Sequence, residues 1–240
     1  MKESLLKKDG VQKLLASLLS IVIGLAVGAI VVAIVGLTKD NIGIKGQAGR
    51  NAPDPRQRSV MLTMLRHADR IRIGCATSGL AQLCATDREH AWKSAAYYPL
   101  TQLIRHAKGV SLQPVVDCET FDVEGYAIDD MNQYGGFTGV PYIQCAAALN
   151  EEAGEMTVFV INVDDQESHE LSLDVSAFRG WRFAEHTALY TDDPDAYNDH
   201  EHPDAIVPRQ IADTRCEGGA LSASLSPLSW NTFRFTKAAE

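Results

Sequence analysis

Carboxylates and imidazoles gather at two places along the chain. Asp87, Glu89 and His90 lie in the run TDREHAWK, close enough in sequence to act as acid and base on a bound substrate. Acidic side chains also suit the first turn of a helix, and the cluster is read as a helix start. Residues 192 to 204 hold Asp192, Asp193, Asp195, Asp199, His200, Glu201, His202 and Asp204 in one stretch. Such oxygens could hold calcium, but the spacing matches no known ligand loop. Pro194 and Pro203 mark a surface loop, and no metal site is assigned there. The glycine-rich YGGFTG, Tyr134 to Gly139, lacks the Lys and Ser/Thr of a phosphate loop and is read as a turn.

Cys75, Cys84, Cys118, Cys145 and Cys216 are odd in number and form no C-x-x-C pair. A zinc site wants thiolates or imidazoles at short paired spacing, and that comb is absent. Reduced, mostly buried thiols are expected, with one bridge compatible with the count. A net charge of −9 without a long basic run speaks against nucleic acid as a partner.

The 240 residues give room for one large domain or two small ones. Leu14 to Leu37 contain no charged residue. As a helix this stretch would be about 36 Å long, enough to cross a membrane with some tilt. Within it Gly24 and Gly28 form a G-x-x-x-G pair, a helix-docking face or simply glycines common in membrane spans. Lysines before the span nearly balance the lysines and arginines after it, so the flanks leave its orientation open. Residues 47–58 read as a linker.

From residue 59 the pattern is that of a soluble protein. A helix is expected from Ser59 to Arg70, a short strand from Ile71 to Cys75, and a helix from Trp92 to Lys108 that Pro99 kinks or restarts and Gly109 stops. The period then changes to two. Val158–Val163 is apolar on both faces and is expected to be central. Strands alternate at Leu171–Val175, Leu221–Leu225 and Trp230–Phe235, and Glu151–Gly154 is a hairpin loop. Short alternating strands separated by turns argue for an antiparallel sandwich.

Four stretches, RHADRIRIGC, AAYYPLTQLIRHAKGVSLQPVVD, VPYIQCAAALNEEAGEMTVFVINVD and LSPLSWNTFRF, resemble in order the C-terminal part of the family 51 α-L-arabinofuranosidases. The resemblance implies a mainly β fold: a jelly-roll-type antiparallel sandwich over residues 109–240. Before it, residues 59–108 would be a remnant strand and helices of a (β/α)8 barrel. The substrate class implied is arabinose-containing oligosaccharide, with no cofactor. In that family the acid sits in a Gly-Asn-Glu stretch and the nucleophile in an Asp-Glu-Trp-Asn-like stretch. Neither is present: Asn150-Glu151 lacks the preceding Gly, and no Glu precedes Trp92, Trp181 or Trp230. No catalytic residue is therefore assigned. Gln82, in Leu80-Ala81-Gln82-Leu83, matches a family glutamine that reaches the arabinose, or is a solvated loop residue.

Residues 1–46 resemble the first span of bacterial ABC permeases for simple sugars or nucleosides. The expectation is a single-pass membrane protein with its sandwich on the cytoplasmic side. An inactive arabinofuranosidase fragment, a tethered module binding carbohydrate or a partner protein, and a subunit completing a separate barrel compete as functions. An aromatic platform, with Trp181 and Tyr190 as the candidate pair, would favour the module.

Overall fold

The computed structural model describes residues 55–74, 84–86, 89–127, 133–193 and 196–238. All lie within one compact unit, residues 50–240. The expected span at 14–37, the 47–54 part of the linker, Cys75, Gln82 and Asp87 lie outside the described residues. Among the described residues no helix is long and apolar enough to cross a membrane.

Two helices, α1 (Pro55–Arg66) and α2 (Tyr97–His106), flank a short hairpin of β1 (Cys84–Thr86) and β2 (Ala91–Lys93). Small strands follow: β3 (Val110–Leu112), β4 (Thr120–Val123), β5 (Tyr126–Ala127), β6 (Gln133–Tyr134) and β7 (Phe137–Pro141). The long strands are β8 (Ile143–Asn150), β9 (Glu155–Asn162), β10 (His169–Asp174), β11 (Trp181–Leu189), β14 (Ala220–Leu225) and β15 (Trp230–Lys237). Two short ones, β12 (Arg209–Gln210) and β13 (Arg215–Glu217), lie between β11 and β14.

A six-stranded sheet in the order β12-β11-β15-β9-β8-β3 faces a three-stranded sheet, β10-β14-β13, and every pairing is antiparallel. The alternation read in β14 is the cause. Leu221, Ala223 and Leu225 turn inward onto Met156, Val158, Val160, Phe233 and Phe235, while the intervening residues face solvent. Strand β9 is apolar on both faces because the large sheet is covered on both. Its second face, with Ala146, Phe159, Ile161, Leu189 and Trp230, packs under Leu62 of α1, Leu103 of α2 and Ile206. The two helices thus find cover on the outside of the sandwich. Buried Arg58 adds a link, its Nη1 donating to the Leu228 carbonyl at 3.1 Å. Leu228 has φ +46, and its amide donates to the Asp164 carbonyl.

Several local expectations are corrected. Ile71–Gly74 has no regular structure and Ile73 is 81% exposed. A strand needs neighbours to pair its backbone, and this segment has none among the described residues. The second helix starts at Tyr97, not Trp92, since Ala91–Lys93 pairs with β1. Pro99 neither kinks nor restarts it. It lies in the first turn, where its missing N–H costs nothing. Glu89 and His90 lie in the β1–β2 connection rather than at a helix start. The helix ends at His106, with Ala107 as its C-cap, and not at Gly109; Gly109, at φ +84, precedes β3, and a Cβ there would come within 2.1 Å of the Leu149 carbonyl oxygen. In YGGFTG only Gly135 and Gly136 are turn; Phe137 already begins β7.

Candidate functional site

Strands β9, β11 and β15 bring two carboxylates together on the outer face of the large sheet. Arg234 donates through Nη1 to Glu185 at 2.6 Å and through Nη2 to Glu155 at 3.1 Å. Both acids therefore share one guanidinium that stands between them. A retaining glycosidase needs its two carboxyls in contrasting environments, facing each other across an open gap of about 5–5.5 Å. This trio has neither property and reads as a structural ion-pair network.

Next to it, Gln102 of α2 clamps helix to sheet. Its Oε1 accepts from Trp230 Nε1 at 2.7 Å and Thr232 Oγ1 at 3.0 Å, and its Nε2 donates to Thr187. The half-buried Gln102 thereby gives the buried Trp230 and Thr232 polar atoms a partner, as stability requires. Sequence reading placed Trp230 and Thr232 in a strand but could not place Gln102 across from them.

His186 is buried and stacked on Phe233, with ring centroids 4.1 Å apart. The Asn231 amide donates to Ser229 Oγ, which fixes its carbonyl as the acceptor for His186 Nε2–H. Nδ1 then accepts from the Thr214 hydroxyl at 2.6 Å. Burial, opposed by the Asn231 hydrogen bond, holds this imidazole below the ordinary 6.5. His106 is lowered too, by burial first and then by Arg234. At the other end of β9, burial pushes the Asp164 carboxyl up. Hydrogen bonds from His169 and from the Gln166 and Glu167 amides outweigh it, and its pKa lies below the ordinary value.

The signs give a pH profile. The unfolded chain takes up protons at His106 and His186 near pH 6.5 before the folded chain does. Their contribution to stability is whole above that pH and declines as pH falls toward the folded values. The Asp164 contribution is present above about pH 3.9 and is lost as pH falls through its lower folded value. Urea midpoints should drop between pH 7 and 5, and His186→Gln should flatten that drop. An unchanged slope in the variant would remove His186 from the account.

The acidic loop is organised from within. Asn198, fully buried, donates to the carbonyls of Lys93 and Ile206 at 3.0 Å and accepts from the Ile206 amide at 2.7 Å. Asp199 Oδ1 accepts from the Glu201 and His202 amides. His200 comes within 5.4 Å of His90, centroid to centroid, so the loop and the β1–β2 hairpin meet. Among the described residues no group of three or more Asp, Glu, His or Cys is placed to hold a metal ion. Cys84, Cys118, Cys145 and Cys216 are free thiols; burial pushes Cys145 up to about 12, with Arg66 opposing.

Trp181 and Tyr190 do not form a platform. Trp181 opens β11 and Tyr190 follows its last residue, nine positions and about 30 Å away along an extended strand. Trp181 instead lines an open groove of about 540 Å³ at the mouth of the sandwich, with Phe178, Arg179, Arg182, Phe183 and Cys216. No carboxylate lines it. Tyr190 meets Arg209, whose guanidinium carbon lies 5.8 Å from the ring centre.

Residues 59–229 match a family model described as the alpha-L-arabinofuranosidase C-terminal domain. An intracellular exo-alpha-(1->5)-L-arabinofuranosidase of Halalkalibacterium halodurans is 31% identical over 182 residues, 75% of this chain and 34% of that protein. The corresponding enzyme 1 of Bacillus subtilis is 31% identical over 183 residues, again 75% and 34%. The chain thus spans about a third of the length of the curated relatives it matches. Among solved structures, a family 51 alpha-L-arabinofuranosidase from Bifidobacterium longum shares the fold. The TM-score is 0.65 at 23% identity, over 77% of this chain and 35% of that one.

Proposed function

Because this chain belongs to the alpha-L-arabinofuranosidase C-terminal domain family, we propose that it is the non-catalytic sandwich part of such an enzyme and does not cleave arabinofuranosides alone. One observation carries the reading: the family model that matches residues 59–229 describes a C-terminal domain. The Glu155–Arg234–Glu185 trio offers no catalytic pair, since both carboxylates are bound to one guanidinium. The implied substrates are arabinose-containing oligosaccharides, reached only when a catalytic part is present. Gln82 remains the proposed arabinose contact in that setting. A probe that esterifies the nucleophile of retaining arabinofuranosidases provides the test. The intact mass of the chain should stay unchanged after treatment. A gain of one probe mass, mapped to a single carboxylate, would place a nucleophile here.

Residues 14–37 are proposed as a single-pass tether, with the sandwich on the cytoplasmic side. Their uncharged length supports the tether, and two relatives described as intracellular support the side. The family match begins at residue 59, so it lends nothing to the likeness of residues 1–46 to a permease span. Full-length chain should stay with the membrane after a carbonate wash; its release would remove the tether. A second reading, a module that binds carbohydrate, is favoured by Trp181 in the groove.

A further inference from the structure

At one edge of the sandwich the chain crosses from the large sheet to the small one. Strand β12 is the outermost strand of the first and β13 of the second. Residues 211–214 join them, tied to β11 by the Ile211 amide, which donates to the His186 carbonyl at 2.9 Å. Thr214 ends the crossing, half-buried between exposed Asp213 and Arg215. His186 lies beneath it, 1% exposed.

Three side chains stand in line there. Thr214 Oγ1 donates to His186 Nδ1 at 2.6 Å, and His186 Nε2 donates to Asn231 Oδ1 at 3.0 Å. Asn231 Nδ2 in turn donates to Ser229 Oγ at 2.8 Å, which holds the amide in that orientation. A hydroxyl nucleophile needs this order: a base within reach of its proton, and a third group that fixes the tautomer and direction of the base. The hydroxyls of Thr63, Thr101 and Thr191, by contrast, give their protons to backbone carbonyls, which cannot take them up. Burial keeps the His186 ring in its neutral, proton-accepting form at pH 7, and the stacked Phe233 holds it in place. The base needs no access to solvent, since only the attacking oxygen meets the acyl donor.

We propose that Thr214 is an acyl-acceptor site: its hydroxyl takes a small acyl group from an activated ester, with His186 as base and Asn231 as the residue that positions the base. Oγ1 bonds to the carbonyl carbon of the ester as its proton passes to His186 Nδ1, and the Nε2–H bond to Asn231 steadies the imidazolium. The bond from the carbonyl carbon to the leaving oxygen then breaks, and that oxygen takes the proton. A neutral imidazole and an ester on Thr214 remain. No oxidant or reductant takes part, and the proposal is independent of the arabinofuranosidase reading.

The experiment treats the full-length chain in detergent with p-nitrophenyl acetate at neutral pH and locates acetyl groups by peptide mass. Thr214 should be acetylated ahead of Thr63, Thr101 and Thr191. His186→Gln keeps a donor for Asn231 and an acceptor for Thr214 but no base, and should slow labelling of Thr214 about a hundredfold or more. Thr214→Ser should still take an acetyl group at this position. Circular dichroism checks the fold of each variant. Acetyl confined to lysines in the parent chain would overturn the proposal without any variant, as would equal labelling of the four threonines. Labelling of Thr214 at the parent rate in folded His186→Gln would remove the base and overturn the mechanism. Should His186→Gln not fold, the ratio of Thr214 to Thr63 labelling in the parent chain decides: a large excess at Thr214 supports the site, and a ratio near one overturns it.

Discussion

Trp230→Ala should destabilise the domain by about 3–5 kcal/mol, the cost usual for deleting a fully buried tryptophan. The indole is wholly buried under α1 and α2 and lies 5.6 Å from the Phe159 ring. Its Nε1 also holds Gln102, so the variant leaves the amide carbonyl with Thr232 alone. Loss of that bond adds about 0.5–1.5 kcal/mol, the net worth of a typical hydrogen bond. Against a typical total of about 5–15 kcal/mol, the variant should be marginal. The helices should loosen first, since Trp230 and Gln102 form their joint with the sheet, while the face between the two sheets keeps its own core. Urea unfolding monitored by circular dichroism reads the effect. A loss below about 1 kcal/mol would mean that the helices are not held on the sandwich as described. Trp230→Phe keeps a ring in the cavity and should lose less.

Much of the sandwich was legible because its strands alternate. Leu221, Ala223 and Leu225 separate cleanly from their serine neighbours, and β14 has that pattern of burial. The doubly apolar stretch at Val158–Val163 announced a central strand, and β9 lies between β15 and β8. The hairpin at Glu151–Gly154 followed from its turn residues. The segment before the sandwich was harder. Ile71–Gly74 carries a strand's composition, but composition cannot supply the neighbours a strand pairs with. Ala91–Lys93 was absorbed into a helix because Trp92 fits a helical stripe; the pairing with Cys84–Thr86 that overrides it is not written in local periodicity.

Site residues divide the same way. Gln82, named from a family counterpart, lies outside the described residues, and long-range polar partners could not be named in advance. Gln102 lies 128 positions from Trp230, Asn198 reaches back 105 positions to Lys93, and Glu155 and Glu185 converge on Arg234 only through strand register. The acidic loop reads in sequence as a surface loop, its dense charges matching no ligand spacing. What organises it is one uncharged side chain, Asn198, that charge counting passes over. The Trp181–Tyr190 pair failed for a simpler reason: nine residues of extended strand separate its members.

The chain by itself should not turn over arabinofuranosides at all. A retaining mechanism needs a carboxylate nucleophile and a second carboxyl whose pKa is raised so that it can protonate the leaving group. In the described residues Asp164 is lowered instead, and the groove that could take a sugar contains no acid. Enzymes of this kind owe rate enhancements of many orders of magnitude to such pairs, so the expected deficit is total and not a matter of degree. The direct measurement is release of aryl alcohol from an aryl α-L-arabinofuranoside by the purified full-length chain, with a detergent blank and an arabinofuranosidase inhibitor as controls. The account predicts the blank rate at every pH tested. Turnover above the blank that follows the chain through a second, orthogonal purification and is abolished by the inhibitor would contradict it.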